Sequence, residues 1–357
     1  MKFKIKVIPY ELEFKRPAKT SRGVYHSHKV WYVVVYSPSA PAHWGIGECA
    51  PLVDLSCDYH ADYEQTLYQF CGRVQASGHL RDVDLRAYPS MLFGLETAFR
   101  HFERRSFSLW DTPFSRGEQG IPINGLIWMG GLAYMREQIE AKLRAGFRCV
   151  KLKIGSLHFD EELQLLEHIR SRYTAEQVTL RVDANGAFSV QEAPKRLQQL
   201  AALNLHSIEQ PVRAGQWDAM AKLARETPLP IALDEELIGI HDLQEKKRLL
   251  QTIKPQYIIL KPSLHGGISG SQEWINLAQN LGIGWWLTSA LESNIGLNAI
   301  AQWCGSLGDG LPDILPQGLG TGGLYTNNIE LPLDVRGDCL WFDPQITFHA
   351  VEELIKT

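Results

Sequence analysis

Several features are scarce in this sequence, and each scarcity removes a class of protein. No apolar run approaches the roughly 20 residues that span a bilayer, so no stretch of the 357 residues reads as a membrane segment. The six cysteines, Cys49, Cys57, Cys71, Cys149, Cys304 and Cys339, lie far apart without a CxxC pair. That spacing fits reduced, buried thiols and not a disulfide framework or zinc ribbon. An excess of positive charge is also missing. The formal net charge is −4, which gives no basic footprint for nucleic acid. Low-complexity segments are absent too. The opening M-K-F-K-I-K-V-I alternates like a strand and lacks the apolar core of a secretory signal, so a cytoplasmic location is expected.

What is present suits a large globular protein. With 45% hydrophobic and 21% charged residues, a sizeable core can form, enough for one large domain and a smaller one. Residues 1–40 read as strands, from K-F-K-I-K-V-I and V-W-Y-V-V-V-Y. Between them the polar stretch F-K-R-P-A-K-T-S-R-G-V reads as a loop. Helical spacing follows at 59–77 and 90–105, so the N-terminal unit is expected to be α+β. From about residue 120, strand-like runs alternate with amphipathic helices. They are Ile121–Gly125, Cys149–Lys153, Val178–Asp183, Ser207–Glu209, Ile231–Leu233, Tyr257–Leu260 and Trp285–Thr288, with a weak eighth near Asp313–Leu315. This pattern predicts a (β/α) barrel, with a doubly wound open sheet as the alternative. The strand-like I-E-L-P-L-D-V and L-W-F-D near the C-terminus are expected to return to the N-terminal unit. The division expected is 1–118, an α+β capping unit; 119–322, the barrel; and 323–357, the returning segment.

Charged residues stand where a barrel interior should be apolar. Asp183, Glu209 and Asp234 end successive strands at intervals of about 25 residues, the length of one strand, one helix and two short loops. Acids so placed converge at the C-terminal mouth of a barrel. Lys151 and Lys153 share one strand face, while Val150, Leu152 and Ile154 take the other. Arg181 and Asp183 repeat the alternation, and Lys261 ends the sixth barrel strand just before a proline. Buried acids and cations are costly unless paired or metal-bound. Three carboxylates without histidine or cysteine at matching strand ends point to a hard cation. In the D-E-E run Asp234 shares the inward face and is the expected third ligand, with Glu235 as the alternative.

These residues resemble the enolase superfamily, specifically its muconate-lactonizing subgroup. The resemblance covers nearly the whole chain and implies a (β/α)7β TIM-like barrel with an α+β capping domain formed by the N-terminal third and the C-terminal tail. It also implies Mg2+, or Mn2+ in its place, held by Asp183, Glu209 and Asp234, with Lys153 and Lys261 on opposite faces of a small carboxylate substrate. The chemistry implied with them is proton abstraction beside a carboxylate to form an ene-diolate. Three segments resemble the o-succinylbenzoate synthases of menaquinone biosynthesis: G-E-C-A-P-L at Gly47–Leu52, S-A-L-E-S-N-I-G-L at Ser289–Leu297, and Q-G-L-G-T-G-G-L-Y-T-N-N-I at Gln317–Ile329. The implied reaction is dehydration of 2-succinyl-6-hydroxy-2,4-cyclohexadiene-1-carboxylate, by a metal-dependent hydro-lyase. The Asp-x-Asp of dipeptide epimerases has no counterpart in G-L-G-T-G-G, and His265 follows Lys261 without replacing it. N-acylamino acid racemase or muconate cycloisomerase chemistry is the alternative, and a catalytically silent acid-binding barrel a more distant one. Lys151 and Arg181 are expected to disfavour the proton on Lys153. Substrate contacts are expected from Asn124, Trp128, Ser289, Gly318 and Gly320. Arg22, in the Thr20–Val24 loop that resembles the family's mobile lid, is expected to meet the succinyl carboxylate, and backbone N–H groups around Ser289–Leu291 to bind the same group. No nucleic-acid or membrane partner is expected, and the sequence leaves room for a homo-oligomer without fixing one.

Overall fold

A computed structural model describes residues 3–20, 23–155, 158–307, 314–346 and 350–356. The chain opens with an antiparallel sheet of three strands, β1 (Lys4–Thr20), β2 (Gly23–Ser37) and β3 (Ala40–Cys49), in that order. Over its described residues the polar stretch expected as a loop is instead ribbon. β1 and β2 pair as far as Thr20↔Gly23, with a register shift between Glu13 and Ala18. Lys15, Arg16, Pro17 and Val24 are exposed there, so the ribbon tolerates polar side chains, although Ala18 is buried.

Both faces of β2 are covered, which explains its unbroken V-W-Y-V-V-V. Trp31, Val33 and Val35 pack on the helices α1 (Tyr63–Ser77) and α2 (Pro89–Arg104) through Leu67, Met91 and Leu95. Tyr32 and Val34 face Ile295, Tyr325, Ile329 and Val351. The glycines of β3 permit the helix to come close: a Cβ on Gly47 would stand 2.0 Å from the Gly94 carbonyl oxygen.

Regular alternation follows. The strands are β4 (Ile121–Pro122), β5 (Gly125–Ile127), β6 (Cys149–Lys153), β7 (Thr179–Asp183), β8 (Ser207–Glu209), β9 (Ile231–Leu233), β10 (Tyr257–Leu260) and β11 (Gly284–Leu287). Between and after them run α3 (Leu132–Arg144), α4 (Phe159–Arg170), α5 (Ala193–Ala201), α6 (Trp217–Glu226), α7 (Leu243–Ile253), α8 (Gly267–Asn280) and α9 (Asn294–Gly305). β5 to β11 form one parallel sheet in sequential order. Parallel bridges Thr288↔Gly318 and Ile123↔Gln317 join its two edges, so the sheet curls into a (β/α)7β barrel. The closing position is therefore Gln317–Gly318 and not 313–315; residue 313 lies outside the described residues.

Outward side chains such as Val150, Leu180, Ile208, Leu233 and Ile258 pack on the helices in the main core. Inside, Ala232, Ile259 and Trp286 plug the barrel. The C-terminal strands β12 (Leu333–Arg336) and β13 (Cys339–Phe342) differ from expectation. β12 pairs with β13 and β13 with β4, while Tyr325, Ile329, Leu331 and, in α10 (Ala350–Lys356), Val351 reach the N-terminal sheet. No helix among the described residues is long and apolar enough to cross a membrane.

Candidate active site

Parallel register delivers the charged residues to one level. Lys153 pairs with Asp183 across β6 and β7, and Asp183 with Glu209 across β7 and β8. Because side chains alternate along a strand, residues in register share a face, and that face is the barrel interior. Lys151 Nζ lies 2.9 Å from Asp183 Oδ2 and also pairs with Glu209 Oε2. Lys153 Nζ donates to the same Asp183 Oδ2 at 3.1 Å and to Asn185 Oδ1 at 2.8 Å. Opposite them, Lys261 pairs with Asp234 Oδ2. All three acids are buried, at 1%, 2% and 0% exposure for Asp183, Glu209 and Asp234.

Electrostatics follow from this crowding. Burial opposes the charge on Lys151, but Asp183 and Glu209 outweigh it and hold the ammonium well above the usual lysine value. Lys261 is raised in the same way against burial, by Asp234 and Glu209. Asp183 is buried too, yet Lys151 and Lys153 keep it well below the usual carboxylate range. Glu209 is pushed up to about 8, by burial first and by Asp183 next. Lys151, Lys153 and Lys261 are thus each tied to a carboxylate of this group.

Three expectations are corrected. Strand alternation with Asp234 inward would turn Glu235 away from the mouth, but β9 ends at Leu233 and the chain enters a 3-10 turn at Glu235–Leu237. Glu235 lines the cavity and accepts from Asn185 Nδ2 at 2.9 Å. Arg181 lies below the mouth. Its guanidinium stacks 4.0 Å over the Trp286 ring and donates to the Pro316 carbonyl at 2.6 Å, so it is no part of the cavity wall. The backbone N–H groups at Ser289–Leu291 are already used. They donate to Gly318 O, Glu292 Oε2 and Ser289 Oγ.

One cavity gathers Lys151, Lys153, Asp183, Lys261, Asn124, Trp128, Ser289, Gly318 and Gly320. Asn124 Oδ1 is buried there without a partner. Gly318 is needed for closure, since a Cβ would fall 2.0 Å from Thr288 Oγ1. Arg22 lies outside the described residues. Sequence reasoning missed the apolar roof, in which Tyr25, Leu52, Val53 and Leu55 come from the N-terminal unit and Leu291 from the barrel. It also missed Asn185, whose signal was its place two residues after Asp183 and beside a glycine.

Among the described residues no three acids, histidines or cysteines stand together as a ready metal cage, because the lysine ammonium groups lie between the carboxylates. The donor set nevertheless fits a hard cation. Glu209 Oε1 and Asp234 Oδ1 are buried oxygens that make no hydrogen bond of ordinary geometry, the type of donor such ions take.

The Enolase C-terminal domain-like family model matches residues 134–317. The o-succinylbenzoate synthase of Desulfotalea psychrophila is 44% identical, over 92% of this chain and 96% of that protein. The crystal structure of MenC from the same organism superposes with a TM-score of 0.80 at 40% identity, covering 96% of this chain and all of that one (100%). A hydrophobic dipeptide epimerase of Roseobacter litoralis is 26% identical over 91% of this chain and 95% of that protein. The muconate lactonizing enzyme of Pseudomonas putida shares the fold, with a TM-score of 0.78 at 20% identity over 99% of this chain and 98% of that one. By sequence and by fold, the chain belongs to the enolase superfamily.

Proposed function

We propose that this enzyme dehydrates 2-succinyl-6-hydroxy-2,4-cyclohexadiene-1-carboxylate to 2-succinylbenzoate, as a hydro-lyase of menaquinone biosynthesis. The observation that carries the reading is the 44% identity to an o-succinylbenzoate synthase across nearly the whole chain. The placement of Lys153 and Lys261 in one cavity supports it.

Asp183, Glu209 and Asp234 would hold a divalent cation, Mg2+ or Mn2+. When bound, it offsets the negative charge that develops on the substrate carboxylate. Lys153 removes the proton from the ring carbon that bears the carboxylate, giving an ene-diolate. The same lysine returns that proton to the hydroxyl leaving the adjacent carbon on the same face. The C–O bond breaks, water departs and its place in the ring is taken by a double bond, which completes the aromatic system. Lys261, paired with Asp234 and kept cationic, holds positive charge over the opposite face of the ring. Lys151 bridges Asp183 and Glu209 and fixes both carboxylates. Asn124 and the roof from the N-terminal unit enclose the succinyl tail and exclude water.

Racemisation of an N-acylamino acid would use the same two lysines, each on one face. Purified protein should therefore be assayed with the cyclohexadiene acid and Mg2+, following aromatisation by ultraviolet absorbance, and in parallel for α-proton exchange on N-acylamino acids. Rapid dehydration is expected. Exchange without dehydration would replace this reading with the racemase.

A further inference from the structure

His265 lies in the H-G-G segment that follows Lys261, and the reaction as written leaves it without a task. It is 2% exposed. The turn that carries it is tight: the Leu264 and His265 N–H groups donate to the Lys261 carbonyl at 2.8 and 2.9 Å. The ring folds back over that turn, and Nδ1 accepts the Lys261 backbone N–H at 2.9 Å. A ring nitrogen that accepts from a backbone N–H carries no proton, so the proton of the neutral ring is on Nε2.

That N–H faces Asp234, its backbone as well as its side chain. Nε2 stands 4.0 Å from Asp234 Oδ1, about 1 Å beyond a hydrogen bond. Both atoms are buried and neither makes a hydrogen bond of ordinary geometry, with the Asp234 backbone also beside the ring and the Glu209 side chain beside the carboxylate. The second carboxylate oxygen, Oδ2, is taken by Lys261. Behind the ring, Lys246 is committed to the Gly270 carbonyl at 3.0 Å and to Glu273 at 2.7 Å, so it does not compete for Asp234.

We infer that His265 is a positioning residue: Nδ1 fixes the end of β10 at Lys261, and Nε2–H orients the Asp234 carboxylate at the end of β9 for the cation. One imidazole then sets the geometry between a metal ligand and the lysine opposite the base. Outer partners of this kind set the orientation of a ligating group and change metal affinity by about 10- to 100-fold when removed. The inference rests on the proposed metal role of Asp234.

Two substitutions separate the functions of the ring. His265→Asn keeps an acceptor near Nδ1 and removes the donor facing Asp234. His265→Gln keeps a donor near Nε2 and removes the acceptor for Lys261. Mn2+ binding to chelator-treated protein is measured by titration calorimetry, with thermal melting of each metal-free variant alongside. The expected result is affinity about tenfold or more weaker in His265→Asn, close to wild type in His265→Gln, and restoration of His265→Asn activity at raised Mn2+. Wild-type affinity in His265→Asn overturns the inference while leaving the metal site standing. Equal weakening in both variants in step with lost melting temperature overturns it as well, because it marks simple packing. Wild-type protein that binds no Mn2+ overturns both this inference and the metal reading beneath it.

Discussion

Two groups of acids in this molecule are treated differently. At the seam between the N-terminal unit and the barrel, Glu48 and Glu96 have both carboxylate oxygens in use. Glu48 accepts from Ser293 N at 2.8 Å, Ser293 Oγ at 2.6 Å and Gly296 N at 2.8 Å, at the N-terminus of α9. Glu96 accepts from Ile268 N at 2.6 Å and Ser269 N at 3.2 Å, at the start of α8. Helix N-termini offer free N–H groups and the positive end of a dipole, so each glutamate joins the two units and caps a barrel helix. At the barrel mouth the acids are fully buried, but Glu209 Oε1 and Asp234 Oδ1 make no hydrogen bond of ordinary geometry. A saturated buried acid holds structure together. An unsaturated one beside lysines is ready for a ligand.

Substitutions at the two places should therefore fail differently. The largest effect is expected at the mouth. Asp183→Asn, Glu209→Gln or Asp234→Asn should each lower dehydration by roughly a thousandfold, while each variant still folds, as read by far-ultraviolet circular dichroism. Unfolding of all three would make them seam-like and break the contrast. Next come the lysines. Lys153→Arg should lose about 10²- to 10⁴-fold in rate, since guanidinium is no base near neutral pH. Lys261→Arg keeps the charge and should lose less. Equal, complete losses would remove the one-base assignment.

At the seam the order reverses. Glu48→Ala strands three donors and should cost about 2–4 kcal/mol of stability, read by denaturant titration, with kcat of the folded fraction changed only a few-fold. The smallest effect concerns pH. Burial lifts Glu48 and Glu96 to about 7 from 4.5, against the hydrogen bonds they accept. Between those values the folded state binds more protons than the unfolded one, so stability falls as pH rises from 4.5 to 7 and is flat above. Each glutamate contributes at most about 3 kcal/mol to that fall. Glu48→Gln cannot titrate, and its melting temperature should decline less between pH 5 and 8; an unchanged slope would mean that Glu48 stays ionised throughout.

The contrast also explains what the sequence made legible. Asp183, Glu209 and Asp234 could be found because strand register turns even spacing into one level in space, and a period of two sorts Lys151 and Lys153 from Val150 and Leu152. Glu235 misled because the strand ends one residue earlier than alternation assumes. Ser289–Leu291 misled because Glu292, nearby in sequence, takes one of those N–H groups and the Ser289 hydroxyl. The roof of Leu52, Val53 and Leu55 was silent, since a wall formed by docking two units leaves no periodic trace in either. The division of the C-terminal tail between β4 and the N-terminal sheet was hidden for the same reason.

The central claim is that the unsaturated acids of the mouth serve a cation on which the chemistry depends. Its most direct test is the dehydration rate of chelator-treated protein before and after Mg2+ is restored. The account predicts a negligible rate that Mg2+ brings back, with the melting temperature little changed by the chelator. Full dehydration in the metal-free protein would contradict it.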